Sequence, residues 1–125
     1  MTEEQEFQPR DTSGWVRERQ GSRIPRAICL YVITESQAEQ PCKIGSAAEI
    51  GRRLSTLNSG NPRPLILRAM VEVAWMPAER WVPYQKRVLE MERSAQVHFG
   101  KLRIRGEWFA VHWEDARDFL RARYE

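Results

Sequence analysis

Residues 27–33 read Ala-Ile-Cys-Leu-Tyr-Val-Ile, and residues 42–45 read Cys-Lys-Ile-Gly. The first run is continuously apolar and rich in β-branched and aromatic side chains, which predicts a strand buried on both faces. Thr34 to Pro41 is polar and makes a connecting loop; Cys42 to Gly45 is a short second strand. Working outward, Glu49 to Asn58 fits a helix with Ile50, Leu54 and Leu57 on one face. It stops at Asn58-Ser59-Gly60-Asn61-Pro62, a strong terminator. Leu65 to Trp75 alternates Leu65, Leu67, Ala69, Val71 and Val73 on one side, hence a third strand. Pro77 and Pro83 bracket a loop, and Tyr84 to Phe99 is a helix. Glu107 to Val111 is a short strand or extended segment, and Glu114 to Arg123 a closing helix. The fold class expected over residues 26–125 is α/β (α+β), with a small, mostly antiparallel three-stranded sheet flanked by helices.

Residues 1–25 read as a separate, poorly ordered segment. They begin acidic (Glu3, Glu4, Glu6), turn basic (Arg10, Arg17, Arg19, Arg23), and carry few large apolar groups to offset ordering entropy. The whole chain, 125 residues with 42% hydrophobic composition, is sized for one domain with one modest core. No apolar run approaches a membrane span and the N-terminus is polar, so the expectation is a cytoplasmic protein with neither signal peptide nor membrane partner. Cys29 and Cys42 fall out of register if their strands pair, so both are expected as reduced thiols. A net charge of +3 and a pI near 9.2 suit nucleic acid without singling it out.

Two charges sit against the helical periodicity. Val88, Ala95 and Phe99 mark the apolar stripe of the later helix, and Glu92 falls within it. On the earlier helix Arg53 lies at the edge of the apolar face, while Arg52 points away. A carboxylate facing a core needs a partner, because burying it alone is costly. Either Arg53 and Glu92 pair internally, or both line a cleft in which Glu92 holds a divalent metal and Arg53 a phosphate. Tyr31 fills core by its pattern alone, and Lys43 is a solvated strand end. Gly45 implies close backbone approach or a positive φ, and Ser46 a cap for the following turn. His98 and His112 do not form a ligand pair. Trp108 and Phe109 read as core anchors.

In order and spacing, Cys29-Leu30-Tyr31, Lys43-Ile44-Gly45, Arg53, Glu92 and the closing Gly106-Glu107-Trp108-Phe109 resemble the GIY-YIG nuclease superfamily, closest to a small phage-type subgroup with a Lys-Ile-Gly second motif. The resemblance covers roughly residues 27 to 111 and implies a metal-dependent DNA endonuclease, a hydrolase of phosphodiester bonds. It implies catalytic roles for Tyr31, Lys43, Arg53, Glu92 and Gln96: Tyr31 assists deprotonation of the attacking water, Arg53 holds the scissile phosphate, and Glu92 binds Mg²⁺ or Mn²⁺. Lys43 stands where the second tyrosine is usual, which leads to the expectation that its ammonium converges on Tyr31 and activates it. Arg52, Arg63, Arg68, Arg103 and Arg105 are the candidate contacts to DNA phosphates, and Gly45, Trp108 and Phe109 the structural motif positions. The chain departs from the pattern at Cys29, where glycine is usual, and at Gln96, where the subgroup places histidine. A DNA-binding module with little or no cleavage, and a protein-interaction domain with a structural Arg53–Glu92 pair, therefore stay open. So does a homodimer or a partner protein that supplies specificity.

Overall fold

In a computed structural model the chain is described at residues 15–17, 23–25 and 27–125. Two short strands, β1 (Trp15–Arg17) and β2 (Arg23–Pro25), pair antiparallel with each other. The remainder of residues 1–25, expected as a poorly ordered segment, lies outside the described residues. The domain proper runs β3 (Ile28–Glu35), β4 (Cys42–Ala47), α1 (Ile50–Ser59), β5 (Leu65–Val73), α2 (Trp81–His98), a single 3-10 turn (Gly100–Leu102), β6 (Arg103–Arg105), β7 (Trp108–Phe109) and α3 (Trp113–Tyr124). Its sheet is antiparallel and five-stranded in the order β5-β3-β4-β7-β6.

The mixed α/β class agrees with the expectation, but the sheet has five strands rather than three. The sequence conceals β6 because all three of its residues are exposed, so no burial alternation marks it. It pairs with β7 across the two-residue turn Gly106-Glu107, whose glycine has φ +56. Positive φ at the first central position suits a type II′ hairpin, and glycine adopts it without strain. Helix α2 starts three residues earlier than the periodicity suggests. Pro83 falls in its first turn, where a missing N–H leaves no intrahelical bond unmade.

β3 is an interior strand paired on both sides, and the side chains of the sheet divide between two cores. One face, with Leu30, Val32, Ile44 and Phe109, packs under α2 and α3 against Tyr84, Val88, Ala95 and Leu120. The other, with Tyr31 and Ile33, packs under α1 against Ile50, Leu54 and Leu57. Tyr84 pins α2: its hydroxyl donates to Val73 O (2.6 Å) and accepts from Ile28 N (2.7 Å). Asn58 pins α1, because its side-chain amide bonds both N–H and C=O of Leu65 at the start of β5. Cys29 lies opposite Ala47, out of register with Cys42 as expected. Burial pushes the Cys42 thiol up to about 12, which keeps it protonated. Among the described residues no helix is long and apolar enough to cross a membrane.

Candidate functional site

On β4, β7 pairs only with Cys42 and Lys43, so the ladder on that side of β4 ends where β4 reaches Ile44. Groups from both faces of the sheet meet at this open edge. Ile44 keeps its edge bonds through side elements: its N–H donates to Glu107 O (3.0 Å), and its carbonyl accepts from Gln96 Nε2 (2.9 Å).

Tyr31 stands directly across the β3–β4 ladder from Gly45. A Cβ on Gly45 would lie 2.6 Å from Tyr31 Oη and 2.8 Å from Glu107 Oε1. The glycine is therefore required for close approach, not for a positive φ, and it lets the tyrosine ring and the Glu107 carboxylate reach one point. Burial, with the negative charges of Glu107 and Glu92, pushes the Tyr31 phenol up to about 12, against a lowering by Arg53.

Glu92 comes off α2 two turns after Tyr84, on the stripe between Val88 and Ala95, and is half-buried. Its carboxylate accepts from Ser46 Oγ (2.5 Å) and Gln96 Nε2 (3.1 Å). Ser46 thus holds Glu92 and does not cap the turn. Gln96 braces both Glu92 and the edge of β4. Burial raises the Glu92 carboxyl above its ordinary value, and the nearby Glu107 charge raises it further, so two carboxylates converge here.

Lys43 Nζ pairs with Glu107 Oε1 at 3.1 Å and lies 5.9 Å from the centre of the Trp108 ring. The expectation that Lys43 activates Tyr31 meets a different arrangement: Glu107 takes the ammonium, Arg53 is the cation that acts on the phenol, and the phenol's pKa rises. Arg53 is exposed on α1 and, with Arg52 and Glu49, lines an open pocket of about 290 Å³ beside Ala47. Among the ion pairs of the described residues none joins Arg53 to Glu92. Two turns of helix and a sheet edge, rather than a salt bridge, place these charges.

The outlying arginines differ in their surroundings. Arg52 is 3.8 Å from Glu49, and Arg63 is 3.5 Å from Glu35, both at the surface. Arg68 is tied inward, donating to Thr34 Oγ1 and Ala38 O and lying over Trp113. Arg103 lies over Phe109, and Arg105 sits opposite Trp108 on the exposed hairpin. Phe109 is fully buried and Trp108 packs against the α1-side core, both as anchors. His98 stacks on Phe119, while His112 caps α3 by accepting from Glu114 N.

Sequence reasoning missed Glu107. It was visible within Gly106-Glu107-Trp108-Phe109, but only the hairpin turn reveals that its carboxylate folds back over Gly45. Among the described residues no group of three or more His, Cys, Asp or Glu side chains gathers into a metal cage.

A family model described as the T5orf172 domain matches residues 28–123. Neither a curated relative nor a solved structure matches the chain. This corrects the resemblance drawn from motif order, since the matched family is a different one from GIY-YIG. The motifs behind that resemblance are segments of three or four residues and two single charges on helices. A tyrosine laid across a glycine is a packing solution open to any antiparallel pair, and so a weak marker of kinship.

Proposed function

The chain belongs to the T5orf172 domain family, and from that premise we propose that it is a DNA-directed phosphodiesterase that works with a divalent metal. The family's association with nuclease and DNA-binding functions supports the choice of DNA. The observation that carries the proposal is the convergence of Glu92 and Glu107 at the open edge of β4, with Arg53 exposed nearby. Two close carboxylates, one raised by burial and by its neighbour's charge, suit a hard dication, and Mg²⁺ is commonly held by one or two carboxylates with waters completing its shell. Glu92 and Glu107 would hold Mg²⁺ or Mn²⁺, which when bound draws charge from a phosphate oxygen.

The chain's own groups then have distinct tasks. Arg53 and Lys43 hold phosphate oxygens and offset the charge that develops on them. Without metal, burial and the charges of Glu107 and Glu92 push the Tyr31 phenol up to about 12, so Tyr31 is assigned to orient the attacking water by a hydrogen bond and not to deprotonate it. Glu107, 38% exposed in its side chain, reaches the same point as a ligand, and the water's proton leaves to bulk solvent. Gln96 and Ser46 fix the Glu92 carboxylate.

The Lys43–Glu107 ion pair favours a second reading, a DNA-binding module that does not cut, because it neutralises one of the two carboxylates. Incubating duplex DNA with the protein in Mg²⁺ and in Mn²⁺ separates the two. Strand cleavage supports the phosphodiesterase; salt-sensitive binding with intact strands selects the module. Absence of both defeats any DNA role.

A further inference from the structure

The segment Lys101-Leu102-Arg103-Ile104-Arg105 alternates cations with aliphatics and contains no acid. It forms the end of the 3-10 turn and β6, the outermost strand on that side of the five-stranded sheet among the described residues. Arg103 pairs with Phe109 and Arg105 with Trp108, so Ile104 is the extra residue of a bulge. Bulges at sheet edges re-aim a side chain, and this one leaves Ile104 58% exposed and Leu102 48% exposed. The bulge and the charges of Arg103 and Arg105 already guard this edge against pairing with other strands, a task that does not require an exposed aliphatic. Ile104 and Leu102 together keep apolar surface in water among the three cations Lys101, Arg103 and Arg105.

Position and charge indicate an occupant. Glu107 of the proposed site is in the turn that ends β6, and Arg105 shares a sheet face with Trp108 and Lys43 through successive cross-strand pairs. A polyanion whose phosphate lies at Lys43 and Arg53 therefore passes the hairpin. Flanking cations with a projecting aliphatic are the combination by which proteins enter the minor groove and part a base step. We propose that the β6–β7 hairpin is a DNA wedge: Ile104 inserts at a base step next to the cleaved bond, while Arg105 holds the adjoining phosphate. The proposal rests on the DNA reading above and adds that the substrate is a duplex unstacked at the site, with deformable pyrimidine–purine steps preferred.

The test uses the full chain and duplexes carrying 2-aminopurine beside the mapped cut, in Ca²⁺ to hold the complex. The unaltered protein should raise 2-aminopurine fluorescence on binding. Ile104→Ser, at an exposed position, should lose that rise and flatten the preference among cut sites, while keeping its melting temperature and salt slope. Arg105→Gln should lower the salt slope by about 1 and keep the rise. An Ile104→Ser protein that retains both the rise and the site preference overturns the wedge and leaves the phosphodiesterase standing. Unaltered protein that binds without unstacking does the same. If Ile104→Ser instead converts a dimer to a monomer in sedimentation, the occupant is a second copy and the wedge is wrong. Unaltered protein that binds no duplex overturns wedge and DNA reading together.

Discussion

Tyr31 fills the space that a side chain on Gly45 would need. The two residues face each other across β3 and β4, and an added Cβ would meet Tyr31 Oη at 2.6 Å and Cζ at 2.7 Å. The ring is 1% exposed, so it cannot swing away. Gly45→Ala should cost about 1–3 kcal/mol, in the range of core overpacking. Denaturant melts check this, with Tyr31→Leu in the Gly45→Ala background expected to recover part of the loss. If Gly45→Ala melts like the unaltered protein, the packing described here is wrong.

The Tyr31 phenol has a pKa of about 12 because it is buried beside Glu107 and Glu92. Its folded value exceeds its unfolded one, so it contributes stability below pH 10 that is lost as pH rises from 10 towards 12. Tyr31→Phe should lower the cleavage rate yet leave the pH–rate profile unmoved below about pH 10. An alkaline limb near neutrality that disappears in Tyr31→Phe would show a phenolate at work and contradict the role given to the proton.

Glu92 is raised by burial and then by Glu107. Between the ordinary carboxylate value of 4.5 and its folded value, the native state holds a proton that the unfolded state has released. Stability therefore falls as pH rises through that window. The difference in melting temperature between Glu92→Gln and the unaltered protein should widen in favour of the variant across it, without metal. Millimolar Mg²⁺ should then raise the melting point of the unaltered protein at neutral pH and leave the variant unchanged.

Lys43 neutralises Glu107 at 3.1 Å, one side chain largely buried and the other partly exposed. Lys43→Met should cost up to about 1 kcal/mol in the metal-free protein, the scale of a partly exposed pair. It should also tighten Mn²⁺ binding, because two carboxylates then face each other unshielded. Calorimetric titration with Mn²⁺ decides this, and weaker binding would mean that Glu107 is no ligand.

Much of this site was legible in the sequence because helical and strand periods are strict. Glu92 stood out as a charge on the Val88–Ala95 stripe, and Tyr31 and Gly45 are held opposite by one short loop. Gln96 was readable as one turn beyond Glu92. Three features were not. β6 has no buried residue to mark it. Glu107 enters the site only through a hairpin turn, which carries no period. The partner of Lys43 depends on which side of a strand a neighbouring turn folds, and Glu107 rather than Tyr31 occupies that side. Family membership was misread because short motifs and single residues are weaker evidence than a match across residues 28–123.

Glu92 is proposed to hold the metal with which this domain cuts DNA. The direct measurement is nicking of supercoiled plasmid and of labelled duplex in Mg²⁺ and in Mn²⁺ by the unaltered protein and by Glu92→Gln, with melting curves of both. Metal-dependent cleavage by the unaltered protein is expected, and for Glu92→Gln a loss of at least about a hundredfold in rate with a melting temperature equal or higher. Cleavage by Glu92→Gln at the unaltered rate, or cleavage undiminished in EDTA, would contradict that role of Glu92.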